Sequence, residues 1–554
     1  MMPATDLRTR LLGIIETHRA GRVEEAIEGY REVLTRQPSQ FDALRLLGAA
    51  LLSVGRHQES LAMLERALQL RTNLSEVWAL RGDALSHLQC GEEAASSYKR
   101  ALALQPNAAG TWSSLGVRLH ALGRYSDALA SFERALVLEP RAAPLWVYQG
   151  NALNELGRFS DAVASYESAL SLGAPRPAEI WHLRADAQRS LGCHQAALES
   201  CERALALEPD HELAASRRAI LLAELGRLDE AFAAMREIVR RYPDNAGVQY
   251  NLGTLNLMTG RLAQGWEGYE WRKRVPELAP PPPLDGPVWD GVEALDGRTL
   301  LLVPEQGQGD TIQFCRFAPL MAQRGVTVKL IVPPALAPLL RSLPNTVQVS
   351  SASEPAPRFD LQCCLLSIPR ALGTTLETIP SQVPYLSPPP DRLRAWRERL
   401  GPARKPRIGL ACSGSPKHGN DRNRSIALRR FEVLSNLDAD VHLLQNELRD
   451  EDLSWAARLR IHDHRGELRD FAETAALASC MDAVVSVDTA VAHLAGALNL
   501  PLLLLLPAVP DWRWMLERDD TPWYPSARLI RQPTPGDWQE PLQRVRDALR
   551  SRIG

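Results

Sequence analysis

Several things are scarce in this 554-residue sequence, and each scarcity removes a class of protein. Cysteine occurs eight times, at positions 90, 193, 201, 315, 363, 364, 412 and 480, with no CxxC pair and no metal-ligand spacing. A disulfide framework is therefore not expected, no metal is expected, and a reduced cytoplasm is the simplest setting. Long apolar runs are lacking too. The densest, Leu498 to Val509, is short for a bilayer span and is broken by proline, and MMPATDLRTRLLGII at the start carries charge where a signal peptide needs an apolar core. No transmembrane segment is expected. Charge of one sign is missing as well: 64 Lys and Arg against 66 Asp and Glu leave a net charge of −2, which argues against a nucleic-acid partner.

Periodicity, by contrast, fills the first half. Gly-Arg recurs at 21, 55, 123, 157, 226 and 260, with Gly192 between, at a spacing close to 34. That period predicts stacked helix pairs. The unit from Ala109 to Ala142 holds Trp112, Leu115, Gly116, Leu119, Gly123, Ala128, Phe132, Ala135 and Pro140 in order. Small residues suit the crossing of paired helices, Trp112 and Phe132 fill gaps, and Pro140 ends the second helix. The pattern resembles the tetratricopeptide repeat position for position. Extended, it gives about eight units starting near 7, 41, 75, 109, 143, 178, 212 and 246, an all-α solenoid over 7–275. The first and last units depart from it, with Arg10 in place of the aromatic and Gly265 and Arg272 at small-residue positions, as terminal caps should. The resemblance implies a groove for a protein partner; a spacer or oligomerisation arm is the alternative.

The helical period stops at Ala279-Pro280-Pro281-Pro282-Pro283, and 276–297 reads as a stiff linker. Beyond it, apolar runs (299–303, 326–332, 408–412, 441–444, 484–487 and 502–506) alternate with helical stretches, which predicts α/β structure with parallel strands. A proline-rich crossing at 380–390 divides it into two Rossmann-like lobes, 298–390 and 391–554.

Polar and small residues gather where those runs end. The first leads into Gly307-Gln308-Gly309-Asp310, glycines that allow close approach of a ligand and an acid that either caps a helix or acts as a base. The run at 408–412 leads into Ser413-Gly414-Ser415-Pro416-Lys417, a loop fit for phosphate or simply a solvated basic loop. The run at 441–444 delivers Gln445 and Glu447, able to read a ribose or base edge. The run at 484–487 reaches Asp488, placed as a helix N-cap, then Thr489 and His493 on one helix face, where the dipole favours an anion. A structural reading, with Asp488 only capping and His493 in the core, stands beside it. Trp512, Trp514, Trp523 and Tyr524 either stack on a base or sugar or pack the final segment.

Taken together, GQGD at 307–310, SGSPKH at 413–418 and VDTAVAHLAGAL at 487–498 resemble the heptosyltransferase-like (family 9-like) glycosyltransferases of the GT-B fold. The resemblance implies an inverting, metal-independent transfer from a nucleotide-diphosphate sugar, a co-substrate rather than a cofactor, to a hydroxyl on a protein or glycan acceptor. It assigns Asp310 as base and Ser413, Lys417, Asp488, Thr489 and His493 to the donor. The alternative is an interaction scaffold with a non-catalytic nucleotide-sugar-binding domain. The layout is also similar to that of the O-linked N-acetylglucosamine transferases, in which asparagines at the sixth repeat position clamp a peptide. Here those positions hold Leu12, Leu46, Leu80, Ser114, Tyr148, Leu183, Arg217 and Asn251, and leucine can neither donate nor accept, so a docked partner is expected instead of a backbone clamp.

Overall fold

One recurring position decides how each helix pair closes. In the first helix of four repeats it is Gly48, Gly82, Gly116 or Gly150, and a methyl group added there would lie 2.5–2.7 Å from Leu64, Tyr98, Phe132 or Tyr166 of the second helix. The missing side chain thus admits a bulky partner that is itself buried. The Gly-Arg turns take φ of +72 to +80°, and Gln89 takes +62° in the third repeat, which lacks that glycine. Successive repeats are stitched by Trp78, Trp112 and Trp146, whose indole N–H groups donate to the carbonyls of Thr72, Pro106 and Pro140 at 2.8–2.9 Å.

The computed structural model describes residues 4–276, 278, 280, 284–416 and 420–553. It divides into two compact units, Met1–Leu225 and Gly226–Gly554. Among the described residues the first holds thirteen helices, from Ala4–Arg19 to Glu212–Glu224. The second opens with three more, Leu228–Arg241, Ala246–Met258 and Leu262–Tyr269, and a 3-10 turn over Glu270–Arg274. No described helix is long and apolar enough to cross a membrane. The polyproline stretch lies partly outside the described residues. The end of the expected linker is no free tether, because Val288 pairs in parallel with Gln362 and the Trp289 N–H donates to the Gln362 carbonyl at 2.7 Å.

Two parallel sheets follow. The first has the order β3-β2-β1-β4, with β1 Thr299–Val303, β2 Thr327–Val332, β3 Val347–Ser351 and β4 Leu361–Cys364. The second has the order β6-β5-β7-β8-β9, with β5 Arg407–Ala411, β6 Asp440–Leu443, β7 Ala483–Val487, β8 Leu502–Leu506 and β9 Ala527–Arg531. Every residue of β7 is buried, as a central strand covered on both faces requires. The six apolar runs became strands. β3, β4 and β9 were not anticipated, and all three lie at sheet edges, where VQVSS, LQCC and ARLIR need not be apolar throughout.

The eighth repeat is not the solvent-facing cap that its irregular sequence suggested. Arg272, at a position that wants a small residue, has a fully buried side chain bonded to Glu305 at 2.7 and 2.9 Å, Ser367 at 2.9 Å and Glu270 at 2.8 Å. Glu305 is equally buried and accepts the Leu366 N–H at 3.1 Å as well. Trp266 donates to the Thr374 carbonyl at 2.9 Å. The irregular residues serve the sheet beside them, so the last helix pair is built into the α/β unit.

Packing at the recurring glycine can be tested by sign. Gly116→Ala should gain about 1 kcal/mol of helix propensity but lose about 1–3 kcal/mol to overpacking against the Phe132 ring. Gly110→Ala, in the same helix with nothing within 4 Å of the added carbon, should gain up to about 1 kcal/mol. Urea unfolding should therefore move in opposite directions for the two variants. A shift of the same sign in both would show that the glycine contact does not set the closure.

Candidate active site

In a parallel sheet the loops that can meet a ligand leave the carboxyl ends of the strands, and they part where the strand order reverses. Those places are between β1 and β4 in the first sheet and between β5 and β7 in the second. The three motifs follow β1, β5 and β7. Two of them meet directly: a carbon added to Gly309 would lie 2.8 Å from the His493 ring and 3.4 Å from Ala490 Cα. The short helix Gln308–Phe314 therefore rests on the start of the helix Ala490–Ala497, and glycine at 309 is what permits the approach.

Asp310 occupies the third position of its helix, with Gly307 as N-cap. Its Oδ2 accepts the Gly307 N–H at 2.8 Å, and its Oδ1 is paired with Arg513. Arg513 is buried, donates to Gln313 Oε1 at 2.7 Å and Asp511 Oδ1 at 2.9 Å, and lies 4.3 Å from the Trp512 ring centre. Nothing in the local sequence of either partner signals this pairing, which joins residues 203 apart.

Asp488 does not cap its helix as expected. The backbone stays extended through Thr489 and turns helical at Ala490, so Thr489 is the N-cap, and its side chain makes no capping bond. Thr489 Oγ1 instead stands 3.3 Å from Ser486 Oγ. The first amides of an eight-residue helix are left without a side-chain acceptor beside the positive end of its dipole. Asp488 is buried, and its carboxyl is pushed up to about 6, chiefly by burial and next by Asp511, against the pull of Arg424. The Trp514 indole N–H stands near it but outside hydrogen-bond geometry. His493 is also buried; its Nδ1 shares a 2.9 Å hydrogen bond with the Tyr524 hydroxyl, and its ring stacks on Trp514 at 5.2 Å. Burial first, then the cations Arg513, Arg316 and Arg424, hold its pKa well below the usual imidazole value, so it stays neutral.

The loop after β5 is held by Gln445. Its Oε1 accepts the Cys412 and Ser413 N–H groups at 2.7 and 3.2 Å, and its Nε2 donates to Ser413 Oγ at 2.8 Å and the Glu447 carbonyl at 2.6 Å. Gln445 thus shapes the loop with both ends of its amide, and Glu447 is exposed. Lys417 lies outside the described residues. The cation that sequence reasoning passed over is Arg424. Its side chain is 13% exposed, its Nε has no hydrogen-bond partner, and its ion pair to Asp421 is long at 3.8 Å. Asp421 is itself committed to Ser425 at 2.7 Å and to Arg449. The guanidinium lies over Gly414, where an added carbon would come within 2.7 Å of it. The signal was available in Arg422-Asn423-Arg424, but nothing local told the two arginines apart.

Trp512, Trp514, Trp523 and Tyr524 are buried in packing and do not form a stacking platform. Trp512 meets Trp266, Tyr269, Phe314 and Trp523 at ring distances of 5.3–6.4 Å. Arg316 donates to the carbonyls of Pro380 and Trp523 at 2.9 and 2.8 Å and to the Tyr385 hydroxyl at 2.8 Å, tying the two sheets' segments together. Asp438 pairs with Lys405 at 2.8 Å just ahead of β6, at the end away from the motifs. Among the described residues no three His, Cys, Asp or Glu side chains are grouped to hold a metal ion.

Known proteins resemble both units. Residues 19–75, 80–145, 114–177, 147–212 and 216–265 match the tetratricopeptide repeat, and 466–535 match glycosyltransferase family 9 (heptosyltransferase). Protein FlbA of Caulobacter vibrioides (strain ATCC 19089 / CIP 103742 / CB 15) is 29% identical over 377 residues, 62% of this chain and 62% of that protein, so the chain spans about three fifths of this relative. The crystal structure of MamA is 23% identical with a TM-score of 0.28, covering 28% of this chain and 92% of that one. YrrB, described as a TPR protein with an unusual peptide-binding site, is 20% identical with a TM-score of 0.32, covering 34% of this chain and 96% of that one. The helix pairs thus match the tetratricopeptide repeat, and the segment that matches glycosyltransferase family 9 holds Asp488, Thr489, His493 and Arg513.

The raised carboxyl of Asp488 has a stability consequence of definite sign. Its folded pKa, about 6, exceeds the ordinary 3.8, so the fold favours the neutral acid. That stabilisation is complete below the ordinary value and is lost as pH rises through about 6, a difference of up to about 3 kcal/mol. Asp488→Asn, neutral throughout, should match the wild type in denaturation near pH 4 and exceed it above pH 7. A stability gap that does not change with pH would mean that Asp488 carries no buried charge.

Proposed function

We propose that the second unit transfers a glycosyl group from a nucleoside-diphosphate sugar to a hydroxyl acceptor, with inversion and without a metal, and that the repeat arm recruits the acceptor or a protein partner. The observation that carries this reading is the contact of Gly309 with His493 and Ala490. It brings the turn that carries Asp310 close to the start of the helix Ala490–Ala497, from a distant part of the chain, and so supports a shared site. Displacement at an anomeric carbon needs a base for the attacking hydroxyl and positive charge for the leaving diphosphate. Asp310 is the candidate base. Arg424 and the uncapped amides ahead of Val491 supply the charge, and Lys417 is a further candidate. Neutral His493, fixed by Tyr524, offers a hydrogen bond without adding charge.

A second reading has an observation of its own. Both oxygens of Asp310 are already engaged, one by Gly307 and one by Arg513, as they would be in a latch rather than a base. In that case the unit binds a nucleotide sugar without turning it over and serves as a scaffold.

Release of free nucleoside diphosphate from a panel of UDP-, GDP-, ADP- and dTDP-sugars separates the two. Under the transfer reading at least one donor is consumed, Arg424→Gln weakens donor binding about 10- to 100-fold by loss of a charged hydrogen bond, and Asp310→Asn keeps donor binding but lowers turnover about 100-fold or more. Donor binding with no release by the wild type would establish the scaffold. Turnover undiminished in Asp310→Asn would remove the base assignment.

A further inference from the structure

We infer that the eighth repeat is a working part of the transferase, with Tyr269 and Arg272 as positioning residues for Asp310; this rests on the reading of Asp310 as base. The backbone of Asp310 is set by the turn Glu305–Gly309, and its carboxylate is set by Arg513. Both converge on one short stretch of the last repeat.

On the first side, buried Arg272 grips Glu305 at 2.7 and 2.9 Å, and the Tyr269 hydroxyl donates to Gln306 Oε1 at 3.2 Å. These are the two residues immediately before Gly307, whose N–H binds Asp310. On the second side, Trp512 sits edge-on to Trp266 and Tyr269 at 5.3 and 5.5 Å, and Arg513 lies against the Trp512 ring while pairing with Asp310. A displacement of residues 266–272 therefore moves the turn and the guanidinium together.

The repeat has been bent to this use. Tyr269 stands four repeats on from Phe132, at the position whose ring elsewhere covers the glycine of its own first helix. Here the backbone of Gly268 takes that place, within 2.4 Å of a carbon added to Gly253, and the Tyr269 ring is released toward Trp512 and the adjoining Tyr250 at 5.5 Å. The second helix ends at Tyr269 and tightens into the 3-10 turn that delivers Arg272.

The test uses the full chain. Tyr269→Phe keeps the ring and removes only the hydroxyl; Arg272→Gln strands Glu305; Arg272→Gln with Glu305→Gln leaves a neutral pair that can still hydrogen-bond. Turnover is read as UDP, GDP, ADP or dTDP released from whichever nucleoside-diphosphate sugar of that panel the wild type consumes, and hydrogen exchange is followed over residues 305–314 and 483–487. Tyr269→Phe and Arg272→Gln should lower kcat about 10- to 100-fold with the donor KM unchanged, as a base displaced by a fraction of an ångström would. Exchange should quicken at 305–314 and not at 483–487, and the double variant should recover much of the kcat. Unchanged exchange at 305–314 in Tyr269→Phe, or a raised KM with a lowered kcat and a general loss of protection, overturns the inference. If the wild type consumes no donor, the glycosyl-transfer reading fails, and the exchange measurement still decides the mechanical link.

Discussion

A buried ion pair between Arg272 and Glu305 is the constraint on which the second unit depends. Neither side chain is accessible, and each is taken out of water at a cost that only full pairing offsets. The pair is fully served: the guanidinium also reaches Ser367 and Glu270, and the carboxylate also accepts a backbone N–H from Leu366. An ion pair of this kind stabilises little over a well-packed apolar substitute, but any shift that parted the two charges would leave each buried and unpaired. It fixes the end of a helical repeat to the end of β1, and so to the turn that carries the candidate base.

Two further buried arginines extend the same logic. Arg316 has no carboxylate among its hydrogen-bond acceptors and is satisfied by carbonyls, a phenol and the faces of Tyr385, Tyr524 and Trp523. Arg513 sits between Asp310, Asp511 and Gln313. Burial above all, and then the field of these arginines, keeps His493 neutral. Asp488, screened by Arg424 but crowded by burial and Asp511, remains easy to protonate. The site is a set of charges balanced by neighbours from distant parts of the chain, and in it the ion pair of Arg424 to Asp421 is a long one.

The repeats obey a simpler rule. Each is held by contacts within itself and to the next: a glycine under a ring, an indole N–H on the preceding carbonyl, a left-handed turn. These interactions repeat because they are local. The eighth repeat breaks the rule where its neighbours are the segments that follow β1 and β4 in place of another helix pair.

That difference marks what the sequence alone determined. The 34-residue period, the change to alternating apolar runs and the polar motifs at 307–310, 413–418 and 487–498 were legible because strands, helices and their ends are written within a few residues of each other. The central strands were plain, since burial on both faces demands unbroken apolar runs. The tertiary structure decided the rest. It placed the half-polar edge strands β3, β4 and β9, put Thr489 rather than Asp488 at the helix start, and made Gln445 a brace for the Ser413 loop. It also turned the tryptophans after β8 into packing and joined Arg513 to Asp310 and Arg272 to Glu305. Such pairings depend on which distant surfaces the folded chain brings together, and no spacing along the chain encodes the partner of a buried charge.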